Sequence, residues 1–239
     1  MIVIRFAHTF LLYLYTVVSF FVGCAIIFCF YPFARNKHRL FQNAAHLWAK
    51  TIAFMSGISV TVQGLENVPK NQPLIIVANH QGAADIPVLL AKIPVCFRFA
   101  IKKELFGIPV FGWYLRQAGY FPIDRALILS AYKMVERIIE ILKTGESVMI
   151  FPEGTRSRDG SLGEFKRGSL MAALKAGVPV LPVAIDGSYN IMPRGTWLVR
   201  PTKVFLGIGK PILIGSEAEY DAKVKEVRET IAALLPKRP

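Results

Sequence analysis

Apolar residues run from Thr9 to Ala34 without a single charged side chain. Wound as a helix rising ~1.5 Å per residue, that stretch is long enough to cross a ~30 Å hydrocarbon layer. Phe28, Phe30, Tyr31, Pro32 and Phe33 crowd its end, where a cleavable leader carries small residues, so the reading is a retained membrane-embedded helix. Next, Phe41, Ala44, Ala45, Trp48, Ile52 and Met55 recur at helical spacing, with Arg39, Asn43, His46 and Lys50 elsewhere. The spacing predicts an amphipathic helix, lying in the membrane interface or packed against the rest of the chain. Together the two segments either span the bilayer or form a two-helix motif dipped into one leaflet.

From about Ser59 the rhythm changes. Short apolar runs alternate with helical patterns, which predicts an α/β domain built on a mostly parallel sheet flanked by helices. The expected strands are 59–64, 74–79, 97–101, 119–123, 147–151, 179–185 and 203–208. The expected helices are 85–92, 127–143, 166–176 and 217–235, with Gly177 and Pro236 as stops. The organisation is therefore 1–57, membrane-anchoring helices, and 58–239, a catalytic domain.

Composition sharpens this picture at three points. Of 239 residues, 53% are hydrophobic, and the mean hydropathy is positive, a surplus that a core alone does not absorb. The formal net charge of +13 suits nucleic acid, anionic lipid or an acidic substrate. No zinc-type Cys–His spacing and no arginine-rich run is present, and the apolar N-terminus turns the charge toward lipid and away from nucleic acid. Cys24, Cys29 and Cys96 form no disulfide pattern, as expected of a cytosol-facing site. Arg35, Lys37 and Arg39 follow the apolar run against Arg5 before it, and this positive-inside bias places the following domain in the cytoplasm.

Chemistry concentrates at the ends of two apolar runs. Leu74 to Ala78 reads as a buried strand delivering Asn79-His80-Gln81-Gly82-Ala83-Ala84-Asp85 to its C-terminal end, where open α/β sheets keep their ligand sites. With a tight turn at Gly82 and a helix starting near Asp85, the carboxylate can fold back onto one ring nitrogen of His80 and leave the other as a base. A satisfied histidine beside a helix-capping Asp fits the same residues. Ser147 to Phe151 delivers Pro152-Glu153-Gly154-Thr155-Arg156-Ser157-Arg158, where exposed amides and guanidinium forks suit a phosphate. A plain polar loop fits these residues too. Between them lies Gly119-Tyr120-Phe121-Pro122-Ile123-Asp124-Arg125, with a further Arg at a strand end.

Together these clusters resemble the four blocks of the glycerolipid acyltransferase family, its bacterial lysophosphatidate acyltransferases in particular, over about 60–215. Asn79-His80 with Asp85 is similar to the first block and Phe121 to Arg125 to the second. Phe151 to Ser157 is similar to the third, and Val180 to Val183 to the fourth. Lys102-Lys103-Glu104-Leu105 with Pro109 and Gly112 resembles the segment between the first two. This chain departs from the family's pattern in lacking the Ser that many members carry after the His, and in having Pro122 in place of an aliphatic residue.

The resemblance implies transfer of a fatty acyl group from acyl-CoA or acyl carrier protein to the sn-2 hydroxyl of 1-acylglycerol-3-phosphate. His80 would be the general base oriented by Asp85, attack on the thioester would be direct, and no acyl-enzyme would form. Lys102, Arg125, Glu153, Gly154, Thr155 and Arg156 would bind the glycerol phosphate. No metal and no cofactor beyond the acyl donor is expected, and membrane lipid is the expected partner. The expected location is the bacterial inner membrane, with the catalytic domain toward the cytoplasm. A different lyso-lipid acceptor, hydrolysis at the same His, and a non-catalytic lipid-binding protein remain as alternatives.

Overall fold

A computed structural model describes residues 2–123, 129–193 and 195–236 of the chain. Helix α1 (Ile2–Phe30) ends in a short turn at Tyr31–Phe33 around Pro32, which cannot continue the helical ladder. Helix α2 (Lys37–Met55) then starts under the Asn36 side chain, which accepts from the Arg39 amide at 2.9 Å, an N-cap bond. The two N-terminal segments therefore form a helical hairpin. Alternation follows through β1 (Ser59–Gln63), β2 (Ile75–Ala78), α3 (Asp85–Lys92), β3 (Phe97–Lys102), α4 (Phe111–Gln117) and β4 (Phe121–Ile123). It continues with α5 (Leu129–Lys143), β5 (Ser147–Ile150), α6 (Met171–Ala176), β6 (Val180–Asp186), β7 (Lys203–Ile208) and α7 (Tyr220–Leu234).

All seven expected strands form, within one sheet of order β1-β7-β6-β2-β5-β3-β4. Five strands, β6 through β4, run parallel, and β7 pairs antiparallel with β6 while pairing parallel with β1. The sheet is thus mostly parallel, as expected, with a reversed pair at one edge. Central β2 is buried at every position, the mark of a strand covered on both faces. Its side chains alternate between two cores. Ile76 and Ala78 join Phe97, Phe99, Met149, Leu181 and Leu206 beneath α1, α2, α3 and α4. Ile75 and Val77 join Val148, Val180 and Ala184 beneath α5, α6 and α7. The molecule is three-layered, and the 57/58 boundary falls between α2 and β1 with the first core continuous across it.

Helix α4 was not expected, and two other local outcomes differ from the sequence expectation. The helix expected over 166–176 forms only from Met171, because Gly168 takes a left-handed φ of 80° that breaks the preceding turn. On α2 the buried stripe is Phe41, Gln42, Ala45, Ala49 and Ala53, rotated from the one expected, and Met55 is exposed. Gln42 is drawn inward because its amide donates to the Ala118 carbonyl at 3.0 Å, while the alanines let α2 approach α3 closely.

Candidate active site

The strand ladder itself sets the first cluster. At the end of β2 the Asn79 side chain grips the neighbouring strand, its amide donating to the Ile185 carbonyl at 2.9 Å and its oxygen accepting from the Ile185 amide at 2.7 Å. His80 follows, buried, with Nδ1 2.6 Å from Oδ2 of Asp85 in the first turn of α3. The same oxygen accepts from the Gln81 and Gly82 amides at 2.8 and 2.9 Å, and Oδ1 accepts from the Ser188 hydroxyl. A fully buried carboxylate is tolerable only with donors of this kind. With Nδ1 donating to Asp85, Nε2 is left as the ring's acceptor. The Phe151 ring stacks on the imidazole at 3.9 Å, 10° from parallel, and fixes its plane.

Gly82 achieves the turn without a left-handed backbone. It answers a close approach instead, since an added Cβ would lie 3.1 Å from the Ser188 carbonyl oxygen. Gln81, at the start of the run that departs from the family's pattern, is buried and turned inward, its amide donating to the Gly160 carbonyl at 2.8 Å.

The second cluster is tied directly to the first. The Ser157 amide donates to the His80 carbonyl at 2.7 Å, and Glu153 accepts from the His80 amide at 2.9 Å and from the Gly163 amide at 3.0 Å. Glu153 therefore faces the scaffold of the histidine loop, and burial pushes its carboxyl up, against the pull of those two amides. Gly154 takes φ +72°, and an added Cβ there would lie 2.6 Å from the Lys166 side chain, which lies across this loop. Thr155 and Arg156 are exposed on the loop. Beyond them Asp159 takes side-chain and amide bonds from Ser161 and a bond from Ser157, which hold its carboxyl down at about 2.

Between the sheet and helices α1 to α4 lies a cavity of about 400 Å³, within the ~300–1,000 Å³ typical of small-molecule sites. His80, Arg156 and Lys102 line one part of it, and Phe20, Gly23, Cys24, Trp48, Phe99 and Tyr120 make the rest apolar. Lys102, exposed, lies 3.5 Å from Glu104. A smaller cavity of about 210 Å³, lined by Gln81, Gly82, Tyr189 and Thr196, shares Arg156 with the first. The structure thus brings His80, Lys102 and Arg156 to one apolar cavity, with Asp85 buried behind His80. Glu153 stands behind the histidine loop, Gly154 and Thr155 lie on the adjoining loop, and Arg125 lies outside the described residues. Sequence reasoning missed Phe151, Lys166 and Ser188. Only Gly187 before Ser188 offered a signal, a glycine closing a buried strand.

The sequence profile of a family described as Acyltransferase matches residues 59–186. A chloroplastic 1-acyl-sn-glycerol-3-phosphate acyltransferase of Arabidopsis thaliana is 37% identical over 91% of this chain and 60% of its own length. A second chloroplastic relative, from Brassica napus, is 39% identical over 84% of this chain and 57% of its own length. The chain thus spans about three fifths of these two relatives. A 1-acyl-sn-glycerol-3-phosphate acyltransferase of Pseudomonas aeruginosa is 33% identical over 86% of this chain and 81% of its own length. The crystal structure of the 1-acyl-sn-glycerophosphate acyltransferase PlsC from Thermotoga maritima superposes with a TM-score of 0.84 at 34% identity, covering 99% of this chain and 98% of that one. Matched by that family's profile over more than half its length, and by relatives at 33% identity or more over most of it, the chain belongs to the acyltransferase family.

Proposed function

We propose that the chain transfers a fatty acyl group from an acyl thioester, on coenzyme A or acyl carrier protein, to the sn-2 hydroxyl of 1-acylglycerol-3-phosphate, yielding phosphatidate. The observation that carries this reading is a buried His80–Asp85 pair opening onto an apolar cavity flanked by Arg156 and Lys102. His80 Nε2 takes the acceptor's hydroxyl proton while the oxygen attacks the thioester carbon. The C–S bond then breaks and the sulfur leaves as a thiol, with the proton supplied from His80. Asp85 holds the Nδ1 tautomer and stabilises the imidazolium. Base assistance of this kind contributes about 10²–10⁴ in rate, and positioning supplies much of the rest. The apolar cavity takes an acyl chain and the cations take the phosphate, since a guanidinium matches phosphate oxygens two at a time. The names of the relatives support this acceptor.

The reading also places the protein on a membrane. Along α1, contacts to the domain run from Thr9, whose hydroxyl accepts from the Val199 amide at 3.1 Å, through Tyr13, which donates to the Trp197 carbonyl at 2.6 Å, to Phe20, whose ring centroid lies 5.6 Å from that of Phe111 and 5.4 Å from that of Tyr114. The outward face shows Phe10, Leu14, Val17, Phe21 and Phe28. A helix bound to its own domain over that length lies against one leaflet more readily than across both, with the domain on the cytoplasmic side of the bacterial inner membrane.

The test is acyl transfer by purified protein in detergent, with lysophosphatidate and each donor in turn, beside His80→Ala. Phosphatidate made by the parent and lost in the variant is expected. Free fatty acid in place of phosphatidate would sink transfer in favour of hydrolysis. Arg156→Ala is expected to raise KM for lysophosphatidate roughly tenfold to a hundredfold, the worth of a charge-assisted hydrogen bond. An unchanged KM would remove Arg156 from the phosphate site.

A further inference from the structure

The dyad has a third member that the proposed chemistry has not used. Ser188 is 1% exposed, and its hydroxyl is directed at Oδ1 of Asp85, the oxygen that does not face His80. Gln81 Oε1 lies 3.3 Å from the same hydroxyl. The hydroxyl has one proton, and a carboxylate is the stronger acceptor, so the bond goes to Asp85. The position of Ser188 is set by the backbone. β6 lies beside β2 in the sheet and ends at Asp186, and Gly187 then turns the chain with φ 88°, where an added Cβ would lie 2.4 Å from the Lys203 carbonyl oxygen. Only a glycine makes that turn without strain. The Ser188 carbonyl in turn lies against Gly82, so the same residue touches both the carboxylate and the loop that carries the histidine.

We infer that Ser188 is a positioning residue, which fixes the rotation of the Asp85 carboxylate so that Oδ2 faces His80 and shares the negative charge through Oδ1. This rests on the reading of His80 as general base. Without the hydroxyl, Oδ1 is buried with no charge-stabilising donor among the groups now bonded to it, and the carboxylate is less fixed.

The test compares Ser188→Ala, Ser188→Cys and His80→Ala in the transfer assay, with thermal melting of each. Alanine is smaller than serine, and cysteine is larger and a weak donor, so a loss common to both tracks the hydrogen bond and not the fit of the side chain. Both Ser188 variants are expected to lose roughly tenfold to a hundredfold in kcat, the worth of one bond to a charged group, with KM for lysophosphatidate unchanged. If either folded variant keeps the parent's kcat while His80→Ala is inactive, or is weakened in KM in place of kcat, the role of Ser188 is overturned alone. If His80→Ala remains active, the general-base reading itself falls.

Discussion

At the scale of single residues, the site depends on Asp85 being an anion. Three hydrogen-bond donors besides the imidazole surround its two oxygens, an environment built for a carboxylate. Asp85→Asn places an amide among those donors and destroys the match with His80 Nδ1. Turnover is expected to fall by roughly 10²–10⁴ while the melting temperature stays within a few degrees. Undiminished turnover in the folded variant would reject the pairing. Glu153 is the opposite case. Its carboxyl is raised by burial, so the folded chain holds its proton more tightly than the unfolded chain. Between the ordinary carboxylate range and that raised value, stability therefore falls as pH rises. In Glu153→Gln that slope is expected to flatten, whatever the offset in melting temperature, and an identical slope in parent and variant would show that Glu153 does not titrate there. The His80–Asp85 pair was legible in sequence because both ends of its contact are short-range, five positions apart across a strand end and a helix start. The scaffold role of Glu153 was not. Its partners are the backbone amides of His80 and Gly163, and side-chain identity carries no information about which amide lies opposite.

At the scale of elements, the strands and their mostly parallel direction were legible, and the one reversed pairing was not. Central strands such as β2 announced themselves as apolar runs, because a strand buried on both faces must be apolar throughout, while edge strand β1 showed only as an alternation of apolar and polar residues. The reversed β7–β1 edge arises from how the 187–202 segment returns to the sheet, which no run of hydrophobicity encodes. Helix α4 went unseen for a related reason: it has seven residues, too few for a 3.6-residue period to declare itself. Elements are also pinned by one polar contact the sequence did not suggest. Buried Arg98 on β3 reaches Glu146 just before β5, with Nη2 2.6 Å from Oε1, and its guanidinium leaves no room for a side chain at Gly119. Glu146→Ala strands that cation, and with the Glu146 side chain partly exposed breaking the pair costs at most about 3 kcal/mol, the low end for buried pairs. A clear drop in melting temperature is expected, at ~2–4 °C per kcal/mol for a chain of this size. An unchanged melt would mean that water replaces the carboxylate.

At the scale of the whole molecule, the apolar cavity is a gap between layers, walled by the sheet on one side and by α1 and α2 on the other. Gly23 lies on that wall, and an added Cβ there meets nothing within 4 Å. Gly23→Leu is therefore expected to fill part of the cavity and to shift preference toward shorter acyl chains in a competition between donors, with the variant still folded as judged by its melt. A chain-length profile identical to the parent's would place the acyl chain elsewhere. The cavity itself was not legible in sequence, since its lining is assembled from residues as distant as Phe20 and Tyr120.

That shared wall has a practical meaning for anyone handling the protein. Leu12 and Ile27 of α1 and Phe41, Ala45 and Ala49 of α2 belong to the same core as β2, β3 and β6. A chain shortened to begin after Met55, in the hope of a water-soluble catalytic fragment, would expose that core and lose one side of its substrate compartment. Detergents and lipids that loosen the hairpin act on turnover by the same route, so what surrounds the protein becomes a variable of its chemistry as well as of its location.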